Sequence, residues 1–280
     1  MTETQLLTTS TFQAWLNRQN HLRPLTNSEK LYVIDQQTPD SAYKKSVSET
    51  RAALDESSWW YSVRNRVIAQ ILPQSRKHNL TIDVGGGTGI VSTHLRTLGH
   101  ECVVVEPSFD SAIAAAQRGI LTICGTLTEL QLPSRSISHA VCCDVLEHVD
   151  CRTEFLAEVH RILAADGSLV LTVPALRGLW SEHDVLERHY LRYSRKSLKA
   201  ELRSCGFKVV KCRSAFVISL LPILFLQALP FRLFGRSLIT SERGLSVGVT
   251  RLSKWLTLVE SAASRFTPIG SSVIVRATKL

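Results

Sequence analysis

From Leu80 onward, short apolar runs alternate with longer stretches of mixed character. Leu80-Thr-Ile-Asp-Val84 reads as a short buried strand, and the pattern returns at Cys102–Glu106, Ile120–Cys124, Ser138–Cys143 and Ser168–Val173. Between these runs, residues 88–98, 108–118 and 154–163 have helical character. Strands that alternate with helices of about ten to fifteen residues predict βαβ units and a doubly wound, mainly parallel sheet. A helix near Lys196–Cys205, a strand at Lys208–Lys211 and a final strand at Ser272–Thr278 bring the total to seven strands. The last two form an antiparallel hairpin whose connection has grown by roughly sixty residues, a length that normally carries its own structure or a function.

Ahead of the sheet, Phe12, Trp15 and Leu16 fall at i, i+3 and i+4 and predict one short helix in an otherwise polar extension. From Glu56 the positions of Trp59, Trp60, Val63, Val67, Ile68, Ile71 and Leu72 suit an amphipathic helix that stops near Pro73. The expected organisation is an N-terminal extension over 1–55, an α/β core over 56–212 plus 271–280, and an apolar and basic insertion over 213–270.

Composition narrows the classes. The chain has 280 residues, 44% hydrophobic and 20% charged, enough to bury a large core and too apolar for wholesale disorder. Its 14 glycines and nine prolines follow no period, which excludes collagen-like and solenoid readings. Seven cysteines, an odd number without a C-x-x-C pair, fit a reduced cytoplasmic protein and point to no metal site. Met1-Thr-Glu-Thr-Gln carries no basic, then apolar, leader pattern. Net charge is +9, unevenly placed: residues 81–170 are net −6 and residues 171–280 net +12. The acidic middle beside a basic end suggests two jobs on one chain. The basic residues lie among Leu and Val without interleaved aromatics, so nucleic acid is not the expected partner.

The strand ending at Asp83 runs into Gly85-Gly-Gly-Thr-Gly89 and then a helix, a turn free of Cβ atoms where backbone approaches a ligand closely. A dinucleotide fingerprint would need glycine at position 90, where Ile90 stands, and this disfavours a nicotinamide or flavin cofactor. Glu106 closes the next strand, where a carboxylate accepts both hydroxyls of a ribose.

Thr81–Gly89, Glu106-Pro107, Asp144-Val-Leu-Glu147-His148-Val149, Glu158-Val-His-Arg-Ile-Leu and Gly167–Pro174 together resemble the class I S-adenosylmethionine-dependent methyltransferases. Within that family the chain resembles the small-molecule "type 11" branch, similar to ubiquinone-biosynthesis methyltransferases. Trp59-Trp60-Tyr61, Trp180–Asp184 and His189–Tyr193 add to the likeness, which covers roughly residues 56–213 and the last strand. The resemblance implies a Rossmann-like methyltransferase fold with S-adenosylmethionine as cofactor. By the same likeness, Asp83, Gly85, Gly86, Gly87, Gly89, Glu106, Pro107, Thr126, Leu127 and Asp144 form its pocket. This chain departs from the family twice. Thr126 follows Gly125 where the family has an acidic residue, and His139 opens the fourth strand where it has Asp.

Methyl transfer mainly requires positioning, and needs a general base only for a poorly acidic OH or NH. The candidates for that work are His183, Asp184 and His189, with Arg192 and Tyr193 beside them, and His148. Asp184 with His189 reads either as a base pair or as a brace holding an active-site flap, and His148 either as catalytic or as a loop cap. Cys142 and Cys143 read as buried strand residues.

Residues Ala215–Phe231 are almost wholly apolar. As one helix they would reach about 26 Å, short of a ~30 Å hydrocarbon core, and Pro222 is expected to interrupt them. The alternatives are a monotopic contact with one leaflet through residues 215–236, anchored by Arg213, Arg232 and Arg236, and a lid or oligomer interface. Downstream, Leu252, Trp255, Leu256 and Val259 fall on one helical face. The expected activity is transfer of a methyl group to an O or N of a small, amphiphilic or lipid-linked acceptor, in the cytoplasm or at a membrane surface. The alternative is a methyltransferase-fold binding or scaffolding protein without turnover.

Overall fold

Nine strands form a single sheet, two more than the alternation predicts. They are β1 (Leu22–Pro24), β2 (Leu31–Ile34), β3 (Leu80–Val84), β4 (Glu101–Glu106), β5 (Leu121–Cys124), β6 (Ile137–Cys143), β7 (Leu163–Pro174), β8 (Phe207–Ala215) and β9 (Ser272–Lys279). Their order across the sheet is β1-β2-β5-β4-β3-β6-β7-β9-β8. The computed structural model describes residues 6–25, 30–34, 59–74, 79–239 and 252–280.

The seven expected strands are present, parallel from β5 to β7, with β9 antiparallel between β7 and β8. The two additional ones come from the N-terminal extension. Strand β2 pairs in parallel with β5, and β1 pairs antiparallel with β2. Without them β5 would be a bare edge with unpaired backbone groups, so short, apolar Leu31-Tyr-Val-Ile34 covers it. A four-residue run in polar surroundings gives little periodic signal, which is why pattern reading passes over it. Strands β7 and β8 also run beyond their expected ends, β8 through a register shift between Val209 and Lys211 that breaks the two-residue alternation.

Helices cover both faces. On one lie α1 (Thr9–Leu16), α5 (Arg152–Ile162) and α7 (Arg195–Ser204), burying Phe12, Leu16, Leu156, Val159, Leu198 and Leu202 against Ala140, Leu169 and Val275. On the other lie α2 (Trp59–Ile71) and α3 (Ile90–Thr97), packing Val63, Val67 and Leu95 against Val141, Val170 and Ile274. Successive residues of β6 thus enter opposite cores, as the pleat requires. Helix α4 (Phe109–Gln117) packs Ala115 against Val104 and Ile120. Helix α1 is held by the Glu101 carboxylate, which accepts the Thr9 amide at 2.9 Å and the Thr9 hydroxyl at 2.8 Å.

After β7 comes a short helix α6 (Glu182–Leu186). After β8 comes α8, made of three consecutive pieces: Leu220–Ile223, a π-helical stretch Leu224–Ala228, and Leu229–Phe234. Pro222 does not interrupt it. It stands in the first turn, where its missing N–H has no helical partner to lose. Pro230 offers no N–H to the Leu226 carbonyl, which accepts the Leu238 amide instead, at 2.9 Å. Helix α9 (Leu252–Ala263) packs on α2. From α9 the buried Glu260 carboxylate accepts the amides of Val217 and Ile218 at 2.7 and 3.1 Å. The apolar face expected over Leu252, Trp255 and Leu256 rests on side chains outside the described residues. Among the described residues, no helix is long and apolar enough to cross a membrane.

His139, in place of the family's Asp, is buried on β6 with neither ring nitrogen bonded. Burial, with His100 nearby, pushes its pKa down to about 4. An unfolded chain takes up this proton near pH 6.5, so the native state loses up to about 3 kcal/mol of stability as pH falls from 6.5 to 4. In His139→Leu, thermal melts from pH 7 to 4.5 are expected to decline less steeply than in the parent. Equal slopes would show that His139 carries none of the acid sensitivity.

Candidate active site

The carboxyl ends of β3 and β4 meet in a cradle. Gly85 turns the chain at φ +66°, and a Cβ there would sit 2.5 Å from a methyl of Val145. Gly87, at φ +55°, has nothing within 4 Å of where a Cβ would be, so the loop presents bare backbone outward. The Gly89 amide closes the turn on the Gly86 carbonyl at 3.0 Å, and α3 starts at the next residue. One oxygen of Glu106 accepts the Gly87 amide and the other the Ser108 amide, each at 2.8 Å. Two backbone dipoles thus fix this carboxylate and clasp the loop after β3 to the turn after β4.

Asp83 lies beneath the loop, fully buried. One of its oxygens accepts the Ser92 hydroxyl at 2.7 Å, and the other has no partner. Burial is the largest influence on its pKa and raises it to about 6, against the Ser92 bond and the Arg64 charge. Pro107 is exposed beside Glu106, and Leu127 is buried in the main core. The Thr126 amide and hydroxyl both donate to Glu129, at 2.8 and 2.6 Å. A carboxylate therefore does stand after the third expected strand, three residues later than the family pattern places it.

Asp144 leaves β6 in a left-handed conformation, φ 55°. Its carboxylate pairs with Arg64 from α2 and accepts the Thr172 hydroxyl at 2.9 Å. The Arg64 guanidinium also lies 4.6 Å from the Trp60 ring centre and 4.7 Å from that of Tyr61. Sequence reading singled out the aromatic block but not Arg64. An arginine one helical turn after two aromatics was the available signal.

The segment from Ala175 to Tyr193 folds back over the ends of β6 and β7. Within it Asp184 is wholly buried and accepts from the Ser181 amide at 2.8 Å and from Arg192 at 2.7 Å, with His189 Nδ1 at 2.9 Å. Burial raises its pKa, yet the His189 bond, with Arg192, outweighs that and brings it down to about 2. His148 and His189 have ring centres 4.7 Å apart, and His183 and His189 6.0 Å. The three histidines picked from the sequence therefore converge, with Asp184 behind His189. Burial, with His189 second, lowers the His148 pKa. Glu147, beside His148, is buried, and burial followed by Asp144 raises it well above the usual carboxylate range. Cys142 and Cys143 are buried on β6 as expected, and burial raises both thiols.

The cradle lies at the carboxyl edge of a mainly parallel sheet, where open α/β folds bind their ligands, and beside it stands the flap that brings the histidines together. A family model described as "Methyltransferase domain" matches residues 59–212, more than half of the chain, which therefore belongs to that family. No curated protein matches it significantly. Among solved structures, an S-adenosylmethionine-dependent methyltransferase of Thermotoga maritima is 20% identical with TM-score 0.54, covering 83% of this chain and 94% of its own. Geranyl diphosphate C-methyltransferase of Streptomyces coelicolor is 15% identical with TM-score 0.54, covering 78% and 79%. Phosphoethanolamine N-methyltransferase 2 of Haemonchus contortus is 12% identical with TM-score 0.54, covering 88% and 61%. At these identities the likeness is one of fold.

Replacing Asp184 by Asn leaves the buried Arg192 guanidinium without its counter-charge, a loss of about 3–5 kcal/mol. The melting temperature of Asp184→Asn is expected to drop sharply, and that of His183→Ala to stay near the parent's. Because Asp184 titrates at about 2 in the native state, its contribution should hold at neutral pH and fade only below pH 4. Equal melting temperatures for the two variants would remove Asp184 as the brace.

Proposed function

We propose that this chain is an S-adenosylmethionine-dependent methyltransferase acting on an O or N of a small, amphiphilic acceptor. The observation that carries this reading is the Glu106 carboxylate clamped by the Gly87 and Ser108 amides beneath bare loop backbone. A carboxylate fixed in this way at the end of the strand after the glycine turn is the group that accepts ribose hydroxyls in a bidentate hydrogen bond. Asp83, with one unpartnered oxygen, fits the cationic methionine end, and Asp144 flanks the same edge. Gly85, Gly86 and Gly89 shape the turn, and Pro107, Leu127 and the Thr126–Glu129 pair border the adenine side. S-adenosylmethionine supplies a methyl group already activated on a sulfonium.

The chain itself then has to orient the acceptor, keep water out and, for a poorly acidic nucleophile, take a proton. His183 is the group we assign to the proton, since it stands beside His189 but outside the buried Asp184–Arg192 pair. The amphiphilic acceptor is supported by the exposed side chains of Leu221, Phe225, Leu233, Phe234 and Leu238 on and after α8. That surface is tied to the flap: the Ser237 amide donates to Glu182 at 2.8 Å. Arg232 and Arg236 at its end suit an anionic head group or membrane surface, whereas Arg213 turns away to Gln70 at 2.8 Å.

Calorimetric titration with S-adenosylmethionine and S-adenosylhomocysteine is expected to give micromolar binding, at least tenfold weaker in Glu106→Ala, with none for NADH. Affinity for the cationic ligand should rise with pH through about 6 as Asp83 ionises, and Asp83→Asn should flatten that dependence. Absence of binding would leave a scaffolding role. For the acceptor, Leu221→Asp/Phe225→Asp should raise KM for long-chain acceptors while sparing cofactor affinity, and an unchanged KM would remove the apolar surface from recognition.

A further inference from the structure

We propose that Glu147, His148 and His189 hold one divalent first-row transition-metal ion, which fastens the flap after β7 to the turn after β6. One ligand atom from each residue lies within 4.8 Å of the others. Atoms sharing a zinc-sized ion stand ~3–3.5 Å apart, given bonds of about 2.0–2.2 Å, so the trio closes by roughly an ångström. Exposed His148 has room to make that movement.

Two further observations point to a cation. Glu147 is only 1% exposed, and its Oε2 has no hydrogen-bond partner, a desolvated oxygen beside two imidazoles. His189 has Nδ1 committed to Asp184 at 2.9 Å, which leaves Nε2 for a metal. Asp184 is in turn held by Arg192 at 2.7 Å. This carboxylate–histidine arrangement is the usual outer support of a metal-bound imidazole, fixing its tautomer and orientation. The two segments already lie side by side, since the Tyr190 amide donates to the Glu147 carbonyl at 2.8 Å.

The donor set is two nitrogens and one oxygen. It selects zinc, cobalt, iron or manganese over magnesium or calcium, which prefer oxygen alone. With only three protein ligands, and His148 at the surface, positions remain for water or for an oxygen donor from solution. The site does not depend on the chain being an active methyltransferase.

The test is titration of the full chain with Co²⁺, read by its visible d–d absorption, with melting temperature followed in parallel. One saturable equivalent, displaced by Zn²⁺ and not by Mg²⁺, with a rise in melting temperature, is expected. His148→Asn, at an exposed position, should weaken binding at least tenfold, as should Glu147→Gln. Cys151→Ser and His183→Ala should retain the spectrum. No saturable absorption in the parent, equal displacement by Mg²⁺, or a spectrum unchanged in His148→Asn would each overturn the site.

Discussion

The Asp184 carboxylate organises the whole edge of the molecule that bears the histidines. A charge with no solvent contact has to be matched, and here Arg192, His189 and the Ser181 amide all converge on it. That convergence bends the segment after β7 back onto the sheet, aims the His189 ring at His148, and sets α6 so that Glu182 meets Ser237 of the insertion. One buried ion pair thus anchors the flap from within, beside the buried Leu179 and Tyr193, while Val185 and Leu186 of α6 point into solvent.

The sheet was legible in the sequence because its central strands are buried on both faces, and continuous apolar runs such as Cys102–Glu106 have no other plausible home. The glycine turn and Glu106 were legible for a related reason: chemistry confined to consecutive residues leaves a local signature. What escaped was set by tertiary context. Strand β2 is recognisable only beside β5, whose edge it closes. Pro222 looks disruptive until it is known to stand in a first turn. Glu129 serves Thr126 by reaching back, and Arg64 meets Asp144 from a different helix eighty residues away. The metal-compatible trio is split between two segments, and cysteine spacing, the usual clue, is silent about it.

The charge asymmetry has a physical counterpart. The acidic middle of the chain contains Asp83, Glu106, Glu129, Asp144 and Glu147, which gather along one sheet edge and give it a field suited to a cation. The basic end distributes its charge differently. Arg192 is paired inside the fold and the half-buried Arg213 is bonded to Gln70, so only part of the +12 is left for the surface near α8.

Helix α2 has a consequence for how this protein could have diversified. Its Arg64 supports Asp144 at the cradle, its Gln70 receives Arg213 from β8, and α9 of the insertion packs along it. The insertion is therefore not an appendage that could be exchanged freely between relatives. A lineage that remodels it must co-vary α2, and through α2 the geometry at Asp144, so the insertion and that sheet edge are inherited together.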